Sequence, residues 1–384
     1  MSSTGTIKRL YTGEGGVDFV GRRRLWYTIT GIVLVVCFLA IAIRGFTLGI
    51  DFQGGTKMNM PADNLETTQV EKVFTDATGV DPVTVQIVGA GDSRILEINS
   101  ERLSDEQITS ARDALFTEFQ PKGTSGSPSA EAIGDSTVSE SWGSTITYWM
   151  LISLGLFLAL IFVYIALRFE RDMAISALSA LGVDAIVIAG VYALIGFEVT
   201  PATIIGLLTV LAFSLYDTVV VFDKVKENTA GFESTTRRTY GELSNLAINQ
   251  TVMRSISTTV ISALPILALM VVAVWLMGVG TLKDLALVQL IGVIEGTFSS
   301  VFLATPFLVS LKNRQKKIKR HNARVDAVRN GAAPEEEERQ AELVSTSEFT
   351  RNADGKRIVT TPAGPETTNN SNTSSGKSWR PGAE

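Results

Sequence analysis

Six apolar runs, each near the ~20 residues a bilayer crossing requires, leave this chain few folds to choose from. They are Leu25–Ile43, Ile146–Leu167, Met173–Gly196, Thr203–Phe222, Ile256–Met277 and Leu285–Ser310. Backbone amides in hydrocarbon must find their partners within the segment, so each run is predicted to be a helix. The first run follows Arg22–Arg24, is long, and has no small-x-small cleavage site before Arg44, so it is expected to be a permanent span rather than a signal peptide.

Loop charge predicts orientation. Lys8, Arg9, Arg22–Arg24, Arg168, Arg171, Lys224, Lys226, Arg237, Arg238 and the run Lys312 to Arg320 all fall on one side of a six-span chain. The positive-inside rule makes that side, and both termini, cytoplasmic. The long insertion 45–145 carries 6 basic against 16 acidic residues and falls on the opposite side. Within it, Thr56–Met60, Thr84–Val88 and Arg94–Ile98 read as strands. Leu65–Thr78 and Ser104–Phe119 read as helices, the second opened by a Ser104-x-x-Gln107 capping pattern. A last strand is not evident, because 121–130 is rich in turn residues.

The predicted fold is a membrane α-helical bundle of six transmembrane helices with one α+β ferredoxin-like extracytoplasmic domain between helices 1 and 2. Its parts are a cytoplasmic N-terminal segment (1–24), transmembrane helix 1 (25–43), the α+β domain (44–145), a five-helix transmembrane domain (146–310), a basic cytoplasmic juxtamembrane segment (311–330) and a disordered cytoplasmic tail (331–384). The basic segment reads equally as a topology anchor or as a contact for anionic membrane lipids. The one cysteine, Cys37, excludes an intrachain disulfide, and the one histidine, His321, excludes a histidine-based metal site or dyad. No calcium-loop spacing or Gly-rich phosphate cradle is present, so no cofactor and no enzymatic activity are predicted.

Asp217 is the residue that points to function. It lies inside PATIIGLLTVLAFSLYDTVVVFD, residues 201–223. A charged Asp at the centre of a span costs about 2.5–3.5 kcal/mol on insertion scales, so such a group faces a partner charge, lines a wet cavity, or holds a proton. The structural alternative is an interhelix hydrogen bond.

Five segments carry a family resemblance. LGIDFQGGT (Leu48–Thr56) resembles the D-F-x-G-G signature of the SecD/SecF proteins. SLYDTVVVFDKVKEN (Ser214–Asn228), NQTVMRSISTT (Asn249–Thr259) and IGVIEGTFSSVFLATP (Ile291–Pro306) are similar, in order, to signatures of that family's fourth, fifth and last helices. EAIGDSTVSESW (Glu131–Trp142) looks like a diverged V-G-P-x-V-G approach to the second span. The resemblance implies an RND-superfamily subunit that acts with SecD and the SecYEG translocon on translocating preproteins. It implies the proton-motive force as energy source, and no nucleic-acid partner.

It also places Asp217 and Arg254 on residues linked to proton passage, and Asp184 on another intramembrane aspartate. A guanidinium near Asp217 would favour the carboxylate and burial would oppose it, so a mobile pair could switch between proton-loaded and charged states. Tyr216 stands where relatives usually carry Asn, and Ala212 where glycine is common. Glu295 occupies a usually apolar position, as an auxiliary proton group or as a residue facing a polar groove. Thr218 and Tyr216 are further auxiliary candidates. Asp135 replaces a proline.

Asp51, Phe52, Gly54 and Gly55 read as a tight hinge or an ordinary turn; as a hinge, alanine at both glycines should impair activity but not insertion. Two other functions fit parts of the pattern. One is a half-size RND exporter of lipids or drugs. The other is an intramembrane aspartyl protease, which would need Asp184 beside Asp217, although Gly182-Val183-Asp184 lacks the second glycine of G-x-G-D.

Overall fold

A computed structural model of the chain describes residues 16–62, 65–123, 126–277, 280–331, 349–351 and 357–359. Six helical segments among them are long and apolar enough to cross a membrane: Arg23–Arg44, Glu140–Arg168, Arg171–Ile195, Pro201–Ser234, Tyr240–Leu276 and Leu282–Lys312. The chain is a multi-pass helical membrane protein.

Helix α1 is Arg23–Arg44. Strand β1 (Thr47–Leu48) and the one-turn helix α2 (Ile50–Gln53) lead from it into an α+β unit. The unit runs β2 (Gly55–Pro61), α3 (Thr67–Thr78), β3 (Thr84–Val88), β4 (Ile95–Ser100), α4 (Asp105–Phe119) and β5 (Gly134–Val138). Its four strands lie in the order β3-β4-β2-β5 and every neighbouring pair is antiparallel. Met58 and Met60 alternate inward from β2, as Leu96 and Ile98 do from β4. Val70 and Phe74 of α3, with Ile108, Ala111 and Leu115 of α4, close the core from one stripe per helix. The Ser104–Gln107 capping box forms in both directions. Strand β5 is the one the sequence hid. It is an edge strand with mostly exposed side chains and no apolar alternation. Asp135 sits on it and pairs with Arg112 of α4.

The unit is pinned to the ends of the spans at several points. The second span, α5 (Glu140–Arg168), starts directly after β5, so the α+β unit ends at Val138 rather than at 145. Helices α6 (Arg171–Ile195) and α7 (Pro201–Asn228) are joined through β6 (Glu198–Val199), which pairs in parallel with β1. Asn99 of β4 donates to Glu198 at 2.9 Å, and Lys283 donates to Gln86 of β3 at 2.7 Å. Burial pushes the Glu198 carboxyl above its usual range; Lys57 pulls it back, and Glu97 and Asp51 add repulsion. Glu198 also lines a cavity of about 390 Å³ with Gln53, Thr84, Glu101 and Glu140 at this junction.

The glycine pair lies where the unit meets α5. Gly54 caps α2 with φ 78° and Gly55 has φ 147°, both in the region that favours glycine. A Cβ on Gly55 would stand 2.5 Å from the Ser100 carbonyl oxygen, and one on Gly54 would stand 2.9 Å from the Glu140 backbone. Alanine at both positions is therefore expected to destabilise the junction by more than about 1 kcal/mol. The α+β unit should lose protease resistance at lower temperature while the spans still insert. Unchanged resistance would mean that the close approach carries no energy.

The fifth span begins earlier than its apolar run. Helix α8 (Tyr240–Leu269) starts sixteen positions before Ile256 and continues as a π-helix, Met270–Leu276, beyond Pro265. Its polar first half is occupied. Asn245 accepts from the backbone of Phe19 (2.8 Å) and Val20 (3.2 Å), and Asn249 accepts from Val17 (3.1 Å) while donating to its carbonyl (2.9 Å). Residues 17–20 are thus strapped to the bundle, with Phe19 and Val20 buried, rather than forming a free terminal segment.

Helix α9 (Gly280–Ser299) passes through a π-helix (Ser300–Ala304) into α10 (Thr305–Lys312). Helix α11 (Lys316–Arg329) follows, with Ile318, His321 and Val325 buried and Lys316, Lys317, Lys319 and Arg320 exposed. The basic segment is thus a folded helix, and Ile318 joins the main bundle core.

The described residues up to Val325 form one compact unit and those from Asp326 onward belong to a second. In the second, strands β7 (Phe349–Arg351) and β8 (Arg357–Val359) pair antiparallel. The rest of the tail expected to be disordered lies outside the described residues.

Candidate functional site: an intramembrane cluster of carboxylates and hydroxyls

Close helix packing builds the site. A Cβ on Gly206 of α7 would fall 2.3 Å from Val288 Cγ1 of α9, one on Gly292 2.0 Å from Val210 Cγ1, and one on Gly296 2.7 Å from Ser214 Cβ. The contacts repeat every four residues on both helices, and small residues let the two backbones approach without a hydrophobic driving force. The next turn of this seam carries Asp217 on α7 and Ser300 on the last span.

Asp217 is 6% exposed. One carboxylate oxygen accepts from Ser255 Oγ of α8 at 2.7 Å, and the other accepts from Ser300 Oγ. Ser300 opens the π-helix that ends just before Pro306, whose ring cannot donate back to Phe302. In the same segment the Ala304 carbonyl accepts from the Ser176 hydroxyl of α6 at 2.6 Å. Rings from α1 and the last span brace this segment: Trp26 stands 4.2 Å from Phe302, and Phe298 stacks on Phe302 at 4.8 Å.

Asp184 of α6 is fully buried and accepts from Ser214 Oγ, one helical turn from Asp217. Glu295 of α9 is half-buried and close enough to Asp184 for the two charges to interact. Thr259 of α8 and Thr297 of α9 exchange a hydrogen bond at 2.5 Å beside Ser300. Hydroxyls and carboxylates from α6, α7, α8 and α9 thus form one polar cluster between the spans.

The sequence leaves open whether Arg254 meets Asp217, and in the structure the two are not in contact. Arg254 is exposed, and its Nη2 donates to the Tyr216 hydroxyl at 3.4 Å. No ion pair joins it to Asp217 among the described residues, although its charge acts on that carboxylate through space. Tyr216, itself 53% exposed, is therefore the anchor of the arginine. Thr218 is buried and bonds neither aspartate. Asp184 and Asp217 are held by separate hydroxyls, without the direct contact an aspartyl-protease dyad requires. Asp51, Phe52, Gly54 and Gly55 lie apart from this cluster, at the junction of the α+β unit with α5. The hydroxyls Ser214, Ser255 and Ser300 were not read as site residues from sequence. Ser255 and Ser300 fall in clusters of small hydroxylic residues, Ser255–Thr259 and Thr297–Ser300, in otherwise apolar helices, and Ser214 has no such signal.

Fold and site together define a polytopic α-helical membrane protein with ionisable groups buried between its spans. The chain belongs to the SecD/SecF family of protein-export membrane proteins. The family profile described as protein export membrane protein SecD/SecF, C-terminal, matches residues 119–314, and the SecD/SecF GG motif matches residues 39–64. Protein translocase subunit SecF of Mycobacterium tuberculosis (strain H37Rv) is 58% identical over 85% of this chain and 74% of its own length. SecF of Streptomyces coelicolor is 40% identical, covering 87% of each chain. The crystal structure of SecDF from Thermus thermophilus superposes with a TM-score of 0.66 at 28% identity. That alignment takes in 78% of this chain and 39% of the SecDF chain. The resemblance read from the motifs is thereby borne out, and the chain is an accessory subunit of Sec protein translocation.

Proposed function

We propose that this subunit uses the proton-motive force to promote late translocation and release of secreted proteins, with SecD and SecYEG as partners and preproteins as cargo. The observation that carries this reading is Asp217: a buried carboxylate held by hydroxyls from two other spans, with a mobile-stemmed arginine one contact away. Such a group can accept a proton, exchange its hydrogen bonds, and pass the change to three helices at once. A charge crossing the membrane potential supplies about 2.3 kcal/mol per 100 mV. Asp217, Arg254 and Asp184 are the relay residues of this proposal, with the proton gradient in place of a cofactor and no enzymatic step.

The α+β unit is ferredoxin-like and extracytoplasmic, both termini are cytoplasmic, and the membrane is the bacterial plasma membrane. The β-α-β-β-α-β order with strand order β3-β4-β2-β5 supports the first assignment, and the basic loops at the opposite ends of the spans support the others. The glycine pair, packed against both β4 and α5, is the point at which motion of this unit reaches the spans.

Partnership with SecD is favoured by the fused SecDF relatives of Thermus thermophilus and Bacillus subtilis, in which a chain like this one is about two-fifths of a longer protein. Affinity purification in mild detergent followed by mass spectrometry is expected to recover SecD and SecY homologues. Their absence, together with a lipid- or drug-export defect on deletion, would favour the RND exporter instead.

A further inference from the structure

Helices α1 and α6 lie side by side but do not stay in contact along their length. Toward the α+β unit they are locked together. A Cβ on Gly190 of α6 would stand 2.2 Å from Cys37 Cβ of α1, and Arg44 Nη1 donates to the Leu194 carbonyl at 2.8 Å. Toward their basic ends they part. A Cβ on Gly31 of α1 or on Gly182 of α6 would meet nothing within 4 Å. The gap is a cavity of about 260 Å³ between α1, α6 and the last span, with Leu34, Val183, Leu303 and Phe307 in its walls and Gly31 on the α1 side.

One polar group in this apolar gap is left over. Of the hydroxyls that line it, Tyr27 bonds Ser310 of the last span at 2.9 Å, Ser176 donates to the Ala304 carbonyl at 2.6 Å, and Ser179 donates to the Ile175 carbonyl at 2.7 Å. Thr30 is 8% exposed, and its hydroxyl has no hydrogen-bond partner among the described residues. A helical threonine can satisfy itself on the carbonyl four residues back, as Thr28 does on Arg24 at 2.8 Å. The gap therefore suits an occupant that is mostly hydrocarbon and carries an acceptor oxygen.

The mouth of the gap is cationic. The stripe of α1 that lines it, Tyr27, Gly31 and Leu34, begins one turn earlier at Arg23, with Arg22 and Arg24 on either side. None of these arginines has a carboxylate partner among the described residues. The acids at the same ends of the helices are taken. Asp18 accepts from the Gly21 backbone at 2.7 Å, Glu170 pairs with Lys312 at 2.6 Å, and Asp172 accepts from Gln315. By helix rise, every lining residue lies within about 18 Å of the basic end of its span. The gap thus opens into one leaflet, with the arginines at headgroup level.

We propose that this gap is a binding site for one anionic phospholipid. An acyl chain lies against Gly31 between α1, α6 and the last span, an ester oxygen accepts from Thr30, and the phosphate sits among Arg22–Arg24. Basic pockets between spans suit anionic headgroups in this way. A spanning helix of a partner fits less well, because the positive-inside rule puts that helix's own lysines and arginines at the same level, opposite Arg22–Arg24. The site contains neither Asp217 nor any group that bonds it, and it stands independently of the proposed relay.

The test is native mass spectrometry of the full chain released from nanodiscs of equal phosphatidylglycerol and phosphatidylcholine. The natural chain is expected to retain one phosphatidylglycerol, in several-fold excess over phosphatidylcholine. Gly31→Leu fills the gap without a clash at Cβ and favours the helix, so it is expected to melt no lower than the natural chain and to lose the retained lipid several-fold. Replacing both Arg23 and Arg24 by Gln leaves the slot intact, and is expected to bring the two lipids to parity while one is still retained. Equal retention of the two lipids by the natural chain, a measurement that needs no variant, would overturn the site. So would unchanged retention in a folded Gly31→Leu chain, or an undiminished preference for phosphatidylglycerol in the double arginine variant. A Gly31→Leu chain that keeps its lipid but no longer copurifies with SecD would overturn it in favour of a partner helix.

Discussion

Valine at position 296 is expected to cost this protein both its thermal stability and its activity. A Cβ there would meet Ser214 Cβ at 2.7 Å and the Ser214 Cα and Oγ at 3.2 Å, and valine adds two methyl groups beyond that. Ser214 is 2% exposed and packed within the same seam, so the contact can be relieved only by parting α7 from α9. Overpacking of this kind costs about 1–3 kcal/mol where the structure can adjust. Here the adjustment would also draw Ser214 from Asp184 and Ser300 from Asp217, leaving buried carboxylates with fewer donors. The melting temperature in detergent should fall by several degrees and export stimulation should be lost. Gly182→Ala is the matched control, because a Cβ on Gly182 meets nothing within 4 Å. Equal melting of the two variants would show that the α7–α9 approach is not what holds the site together.

The sequence reveals those parts of this fold whose side chains face lipid or a core on one consistent face. All six spans were visible because a bilayer imposes length and apolarity together. Helices α3 and α4 were visible because their stripes and the Ser104 cap obey local rules. Elements whose stability comes from partners far along the chain were hidden. Strand β5 has almost nothing apolar to announce it and is fixed by its pairing with β2. The first half of α8 reads as a polar loop because Asn245 and Asn249 are reserved for the backbone of residues 17–20, more than two hundred positions away. Helix α11 reads as a charged anchor because its three buried residues are too few to stand out among lysines and arginines.

The site divides in the same way. Asp217 was conspicuous because a carboxylate in a span must be explained, and Asp184 and Glu295 stand out for the same reason. Their hydrogen-bond partners were not conspicuous. A serine costs little in a helix facing lipid or protein, so Ser214, Ser255 and Ser300 are indistinguishable in sequence from hydroxyls that bond their own helix, as Ser153 does with Trp149. The partner of Arg254 is not legible in the sequence, for a geometric reason. The arginine lies on the exposed side of α8, and the residue beside Asp217, Tyr216, extends a long side chain to meet it.

The central claim is that Asp217 gains and loses a proton as the gradient drives export. Asparagine has the same shape and can still bond Ser255 and Ser300, because a hydroxyl rotates to donate or accept. Asp217→Asn should therefore insert, fold and assemble like the natural chain, and lose only the capacity to change charge. Arg254→Met keeps the stem of the side chain and removes its charge, and should impair the same step. ATP-driven early translocation should survive both substitutions, since that step does not draw on this site. The decisive measurement is late-stage export in membrane vesicles, with and without an imposed proton gradient, for the natural chain and for Asp217→Asn present in equal amounts. Loss of the gradient-dependent stimulation, with gradient-free export unchanged, is the result expected; full stimulation in the Asp217→Asn vesicles would contradict the account and leave Asp217 as a hydrogen-bonded strut between helices.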